Sequence, residues 1–241
     1  MLKRTFKALK DMIFPDSCCL CGDVFSYFED AHPKILFGEK KVTSPYCADC
    51  TKALMKSYCD TKENNFEGIG IEYLFVYDSE TVQKALKHIK RTRCEKCARF
   101  FASLLNQAVK DEKIRNITYI PRSVKLERKY GFDQSERIMS TFVRMYEEYR
   151  KTDAFKRNKN FSVPQKKLSA KDRFINAEKS LVLQENIKLP KEIIIFDDII
   201  TSGATAKTAS NLLYNGGVKN IKLIFLAKAG EITEERRKIN E

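Results

Sequence analysis

The sequence predicts an α/β fold built on a parallel sheet, preceded by a small module held together by four cysteines. Three observations carry that prediction. Short apolar runs without alternation, Ile193 to Phe196 and the segment IEYLFVY at 71–77, fit strands buried on both faces. Segments with helical spacing of apolar residues lie between such runs, and strands alternating with helices favour a parallel sheet. Near the N-terminus, Cys18-x2-Cys21 and Cys47-x2-Cys50 present two pairs of thiols at the spacing of a tetrahedral metal site.

With 241 residues and 43% hydrophobic content, the chain can bury one large domain and carry a small module besides. The expected division is an N-terminal helix and cysteine module over residues 1–60 and an α/β domain over 69–241. No run approaches the eighteen apolar residues of a membrane span, and the N-terminus lacks the uninterrupted apolar core of a signal peptide. A cytoplasmic location is expected. In a reducing compartment, eight cysteines read as metal ligands or thiols rather than disulfides. The formal charge of +13, from 45 Lys and Arg against 32 Asp and Glu, calls for a polyanionic partner or an anionic surface. A Lys-rich coding bias or the local needs of an anion site would raise the charge as well, and charge alone does not choose between them.

The elements follow in order. Residues 1–14 place Leu2, Phe6, Leu9, Met12 and Ile13 near one helical face with Lys3, Arg4, Lys7 and Lys10 elsewhere. Such a helix packs on its own protein or rests peripherally on the inner face of a membrane. Cys18, Cys21, Cys47 and Cys50 then supply four thiolates and no open position, the pattern of a structural Zn²⁺ site. Either CxxC alone would also suit a redox dithiol; the pair favours zinc. The intervening residues, with Pro33 and Gly38, suit a small hairpin, and residues 51–68 read as a linker. A strand at 71–77 leads to a helix from Thr81 to Lys90 that ends in a basic cluster of Lys87, His88, Lys90, Arg91 and Arg93. Cys19 sits inside the first knuckle, where it could swap as a ligand, and Cys59 has no partner at knuckle spacing. Cys94 and Cys97 lie in RTRCEKCARFFASLL, which has helical periodicity, and read as ordinary helix neighbours rather than ligands.

A strand at 116–120 is followed by Pro121, Arg122 and a polar stretch to Gly131 that carries Lys125, Arg128 and Lys129. Loops after parallel strands open at the carboxyl edge of a sheet, where α/β proteins bind ligands. A helix is expected from about Gln134 to Arg150. The basic segment from Phe155 to Ser180 has one proline and no clear period, and reads as a lid. After the strand at 193–196 come a helix from Ala204 to Tyr214, a turn at 215–217, a strand at 221–227 and a polar tail.

The chemistry is concentrated in IIIFDDIITSGAT, residues 193–205. Thr201, Ser202, Gly203, Ala204 and Thr205 are all small and stand between a strand and a helix N-terminus, where backbone N–H groups and the helix dipole together favour a phosphate. The loop lacks the Lys of a Walker A loop and the spaced glycines of a dinucleotide fingerprint. Asp197 and Asp198 instead suit a hydroxylated sugar, whose vicinal hydroxyls donate to carboxylates. These thirteen residues resemble the phosphoribosyl pyrophosphate (PRPP) motif of type I phosphoribosyltransferases, in register throughout. The resemblance implies that Asp197, Asp198 and residues 201–205 hold the ribose 5-phosphate, with Lys90, Arg122 and Arg128 placed for the pyrophosphate.

The whole chain, from about residue 10 to 228, resembles the ComF (ComFC) family. The carrying residues are IFPDSCCLCG, Cys47 and Cys50, the stretch YIPRSVKLERKYGFDQSERI with Gly131, Phe132 and Gln134, and the series Arg157, Gln165, Leu168, Arg173, Asn176. Tyr130 stands where the family has an arginine, and Arg128 is the nearby substitute. The resemblance implies a zinc-ribbon module joined to a type I phosphoribosyltransferase fold with a hood, a role in natural transformation, and handling of single-stranded DNA alongside competence helicase and DNA-processing proteins. It also implies Mg²⁺ bound with PRPP, and Asp197 and Asp198 as the catalytic pair if pyrophosphate is displaced. Two alternatives stand beside this: a metabolic type I phosphoribosyltransferase with a nucleobase or amine acceptor, and a PRPP sensor without turnover.

Overall fold

A computed structural model describes residues 16–25, 32–37, 40–66, 69–158 and 180–229. The expected helix at 1–14, most of the lid, including Gln165, Leu168, Arg173 and Asn176, and the C-terminal tail lie outside them.

The module begins with the turn carrying Cys18 to Cys21, closed by Gly22 N donating to Cys18 O at 3.0 Å. Gly22 has φ +85°, a left-handed conformation that a side chain would strain. Strands β1 (Lys34–Phe37) and β2 (Lys40–Thr43) form the expected antiparallel hairpin. Helix α1 (Ala48–Lys56) starts at Cys47 as its N-cap, so the second CxxC occupies the entry to that helix.

The α/β domain contains β3 (Tyr58–Phe66), β4 (Ile69–Val76), α2 (Glu80–Arg91), α3 (Glu95–Val109), β5 (Asn116–Tyr119), α4 (Val124–Tyr130) and α5 (Gln134–Met145). It continues with β6 (Arg150–Lys151), β7 (Phe155–Arg157), β8 (Leu181–Leu183), β9 (Glu192–Ile200), α6 (Ala204–Asn215) and β10 (Asn220–Lys228). Six strands join in the order β3-β4-β10-β9-β5-β6, and each neighbouring pair is parallel except β3 with β4. Strands β7 and β8 form a separate antiparallel pair. A mostly parallel sheet flanked by helices fits the type I phosphoribosyltransferase fold expected from the sequence, and the N-terminal cysteine module precedes it as expected.

Strand alternation sorts the core into two layers. Ile194, Phe196, Ile224 and Leu226 face a cluster with Phe100, Phe101, Leu104 and Phe142 of α3 and α5. Ile193, Ile195, Leu223 and Phe225 face Ala209 and Leu213 of α6. The module's Phe25, Val42, Tyr46 and Leu54 belong to the first cluster, and Tyr46 packs edge-on against Phe100 at 5.6 Å. Module and domain thus share one core.

Three expectations are corrected. Residues 51–68 are not a linker: most of α1 and all of β3 lie there. A polar sequence suits β3 because it is an edge strand. The helix expected to reach Arg150 stops at Met145; Arg150 and Lys151 instead pair in parallel with Asn116 and Ile117. The polar stretch before Gly131 contains α4, which Gly131 ends with φ 73°.

Candidate functional site

Strand β9 continues four residues past the apolar quartet, so Asp197 and Asp198 belong to the strand's carboxyl end. Alternation turns Asp198 toward α5, and Asp197, at the strand's end, still reaches the first turn of the same helix. The Asp198 side chain is nearly buried and is held from two directions: Gln134 Nε2 donates to Oδ2 at 2.6 Å, and Lys90 Nζ lies 3.0 Å from the same oxygen. Asp197 Oδ1 accepts from Ser135 Oγ at 3.1 Å and from the Asp198 backbone N–H at 2.8 Å. The first turn of α5 therefore clamps both acids. Burial, and next the neighbouring Asp198 charge, push the Asp197 carboxyl from 3.8 to about 8, against the pull of that N–H and of Lys90.

The stretch from Gly131 to Ser135 acquires a physical reading. Gly131 ends α4 in a left-handed turn, and Asp133 caps α5, its Oδ1 accepting from the N–H groups of Ser135 at 2.9 Å and Glu136 at 3.2 Å. Asp133 Oδ2 accepts from Arg122 N at 2.6 Å. Two consecutive turns thus aim Gln134 and Ser135 at acids more than sixty residues away in sequence. Gln134 was singled out in the sequence only through the resemblance, and Ser135 not at all; the Asp at the helix start was the local signal for both.

Beyond the acids, Thr201 and Ser202 are exposed and Gly203 turns the chain with φ 72° and ψ −2° into the first turn of α6. Ala204 is buried and Thr205 half-buried. No side chain hydrogen-bonds to cap α6, which leaves its N-terminal turn for an anionic ligand. Acids, small-residue loop and helix start form one continuous edge.

The three expected cations differ. Lys90 is at the acids. Arg122 is 8% exposed, and its guanidinium donates to the Phe132 carbonyl at 3.0 Å and the Lys90 carbonyl at 3.3 Å while stacking over Tyr130 at 5.0 Å. Its geometry fixes the end of α2 beside Lys90 instead of opening toward solvent. Arg128 is exposed in the last turn of α4, with Lys125 and Lys129. Arg157 is also committed, donating to Pro121 O at 2.7 Å and Ser180 Oγ at 2.9 Å. A cleft of about 390 Å³ lined by Arg93, Tyr119, Phe132, Asp133 and Arg137 opens beside the Gly131 turn; its lining includes neither Asp197 nor Asp198.

In the module, the sulfur atoms of Cys18, Cys21, Cys47 and Cys50 lie within 4.8 Å of one another, close enough to share one metal ion. Cys21 Sγ and Cys47 Sγ are 3.7 Å apart, near the edge of about 3.8 Å of a tetrahedron with Zn–S bonds of 2.3 Å. Cys94 and Cys97 depart from the reading as helix neighbours. Helix α3 starts at Glu95, so Cys94 is its N-cap, and Cys94 Sγ accepts from Cys97 N at 3.1 Å. Both lie with Cys19 and His88 in a second group of four. Among the described residues no helix is long and apolar enough to cross a membrane.

No protein-family model matches the chain. It is 25% identical over 227 residues to competence protein ComFC of Streptococcus pneumoniae, covering 93% of this chain and 94% of that protein. It is 26% identical over 206 residues to competence protein F of Haemophilus influenzae, covering 79% and 88% respectively. Among solved structures, a Mycobacterium tuberculosis orotate phosphoribosyltransferase matches at 11% identity and TM-score 0.35 over 74% of this chain and 81% of that one. An adenine phosphoribosyltransferase matches at 16% identity and TM-score 0.35 over 80% and 94%. No residue role is carried across from either structure. Along most of its length the chain is similar to these two competence proteins, which supports the resemblance to the ComF/ComFC family.

Proposed function

We propose that the protein binds PRPP at the carboxyl edge of its sheet and serves natural transformation by handling single-stranded DNA. The observation that carries the PRPP reading is the convergence of Asp197 and Asp198, clamped by Ser135, Gln134 and Lys90, on the exposed small-residue loop that opens α6. Two carboxylates accept from the ribose hydroxyls, and the N-terminal turn of α6 with Thr201, Ser202 and Thr205 takes the 5′-phosphate. Lys90 is within reach of the ribose and the pyrophosphate alike. Arg128 adds charge from α4, and Arg122 acts through the main chain that it fixes.

Mg²⁺ suits this donor set as a partner of the ligand: it is a hard ion that binds through PRPP oxygens and water, with carboxylates near, and supplies charge neutralisation of the pyrophosphate. The Cys18, Cys21, Cys47 and Cys50 group suits structural Zn²⁺, four thiolates leaving no open position. Cys47→Ser/Cys50→Ser is expected to lower the bound zinc by one ion per chain, read by elemental analysis. The DNA role is supported by the net charge of +13 and by the two competence proteins that the chain matches. Exposed Lys87, Arg91, Arg93, Lys125, Arg128 and Lys129 lie on α2, α4 and the turn after α2, beside the site.

The test has two arms. PRPP with Mg²⁺ should raise the melting temperature of the full chain, and labelled single strands should bind with strong salt dependence and little sequence preference. Absence of strand binding at low salt would remove the DNA role and leave a metabolic enzyme or a sensor. Pyrophosphate release with a nucleobase or amine acceptor, lost in Asp198→Asn, would mark the enzyme; PRPP binding without release would mark the sensor.

A further inference from the structure

The second group of metal-type side chains has no place in the PRPP site or in the first cysteine cluster. Cys19 belongs to the first knuckle, His88 to α2, and Cys94 and Cys97 to the start of α3; one ligand atom from each lies within 4.8 Å of the others. Cys19 Sγ and Cys94 Sγ are 3.7 Å apart. That separation is far beyond a disulfide bond of about 2.05 Å. It matches the edge of about 3.8 Å of a tetrahedron with Zn–S bonds of 2.3 Å, as in the first cluster.

The local backbone is also that of a knuckle. In Cys94-Glu95-Lys96-Cys97 the Cys97 N–H donates to Cys94 Sγ at 3.1 Å, just as Leu20 N donates to Cys18 Sγ at 3.4 Å in the first cluster. Such N–H groups, and the N-terminus of α3 on which both cysteines sit, stabilise negative sulfur. Cys97 is wholly buried while Cys19, His88 and Cys94 are half-buried, so the group is shielded on one side and open to an entering ion on the other. Three sulfurs and one imidazole form a donor set that selects zinc among abundant divalent ions.

We propose that Cys19, His88, Cys94 and Cys97 bind a second zinc ion that fastens the cysteine module to the α/β domain. On binding, the three thiols lose their protons and His88 coordinates through one neutral ring nitrogen. Cys18 and Cys19 are consecutive yet serve different ions, so the first knuckle lies between the two sites. The first site ties the module to itself; the second ties three segments that are distant in sequence. Asp16 and Lys96, 2.5 Å apart, join the same two segments beside it. His88 stands two residues before Lys90, so the ion also holds the end of α2 that presents Lys90 to Asp198.

The inference is independent of PRPP binding and is tested on the full chain as purified under reducing conditions. Native mass spectrometry with elemental analysis should find two zinc ions per chain. Cys94→Ser/Cys97→Ser should hold one. Should that variant fail to fold, thiol alkylation of the wild-type protein gives the second reading: half-buried Cys19 and Cys94 should be protected while zinc is bound and should label once a chelator removes it. One zinc per chain in the zinc-saturated wild type would overturn the proposal. So would labelling of Cys19 and Cys94 with zinc present, a Cys19–Cys94 disulfide in the reduced preparation, or two ions retained by the variant.

Discussion

The two ends of the sheet carry buried carboxylates that face the same helical layer and do opposite work. At the amino end, Glu72 of β4 is fully buried with Lys222 of β10 at 2.6 Å, and Glu112, just after α3, bonds the same ammonium. At the carboxyl end, Asp198 of β9 meets Lys90 at 3.0 Å and Gln134 at 2.6 Å. Both are lysine–carboxylate pairs at strand ends. The Lys222 side chain is 13% exposed and that of Lys90 32%. At the amino end, two acids surround one cation. At the carboxyl end, two helix N-termini converge, one holding the acids and the other left uncapped by side chains. A buried ion pair alone says little about function; the surroundings separate a structural pair from a binding site.

The largest expected effect breaks the amino end. Lys222→Met leaves Glu72 buried without its cation and should destabilise the fold by about 3–5 kcal/mol in denaturant unfolding. Adding Glu72→Leu should recover most of that loss, and ligand binding should survive in the double variant. At the carboxyl end the pattern reverses: Asp198→Asn should leave the chain folded and abolish stabilisation by PRPP. Gln134→Ala removes one hydrogen bond to a carboxylate and should weaken PRPP about tenfold by calorimetry, near 1.4 kcal/mol.

The remaining effect, seen only as a dependence on pH, concerns Asp197. The folded chain keeps this proton to about pH 8, whereas an ordinary Asp gives it up near 3.8. Between those values the folded state binds more protons than the unfolded state, so stability falls as pH rises through the window. Asp197→Asn removes that slope: it should match wild type near pH 4 and melt above it at pH 8, read from melting curves across pH. PRPP affinity of the wild type should rise as pH passes through about 8, where Asp197 of the folded chain ionises.

What the sequence showed and hid follows the range of the interactions. The strand, acids and small-residue loop of 193–205 were legible because neighbouring residues build all three. The four cysteines of the module were legible from spacing. Gln134 and Ser135 meet the acids only after β9, more than fifty residues further on, has paired beside β5. Cys94 and Cys97 were misread because apolar periodicity runs unbroken through RTRCEKCARFFASLL, whereas the helix begins only at Glu95 and Cys94 stands outside it as the cap. Arg122 reads as one cation among several in the sequence, but the backbone carbonyls of Lys90 and Phe132 claim its guanidinium. The strand in YCDTKENNF was hidden by polarity that its edge position permits.

The central claim is that the carboxyl end is a PRPP site organised by Asp198. Calorimetric titration of the full chain with PRPP and Mg²⁺, run in parallel on wild type and Asp198→Asn, tests it most directly. Saturable one-site binding by the wild type, lost in Asp198→Asn while its melting temperature without ligand is kept, is the result expected. No binding by the wild type, or equal binding by both, would contradict it.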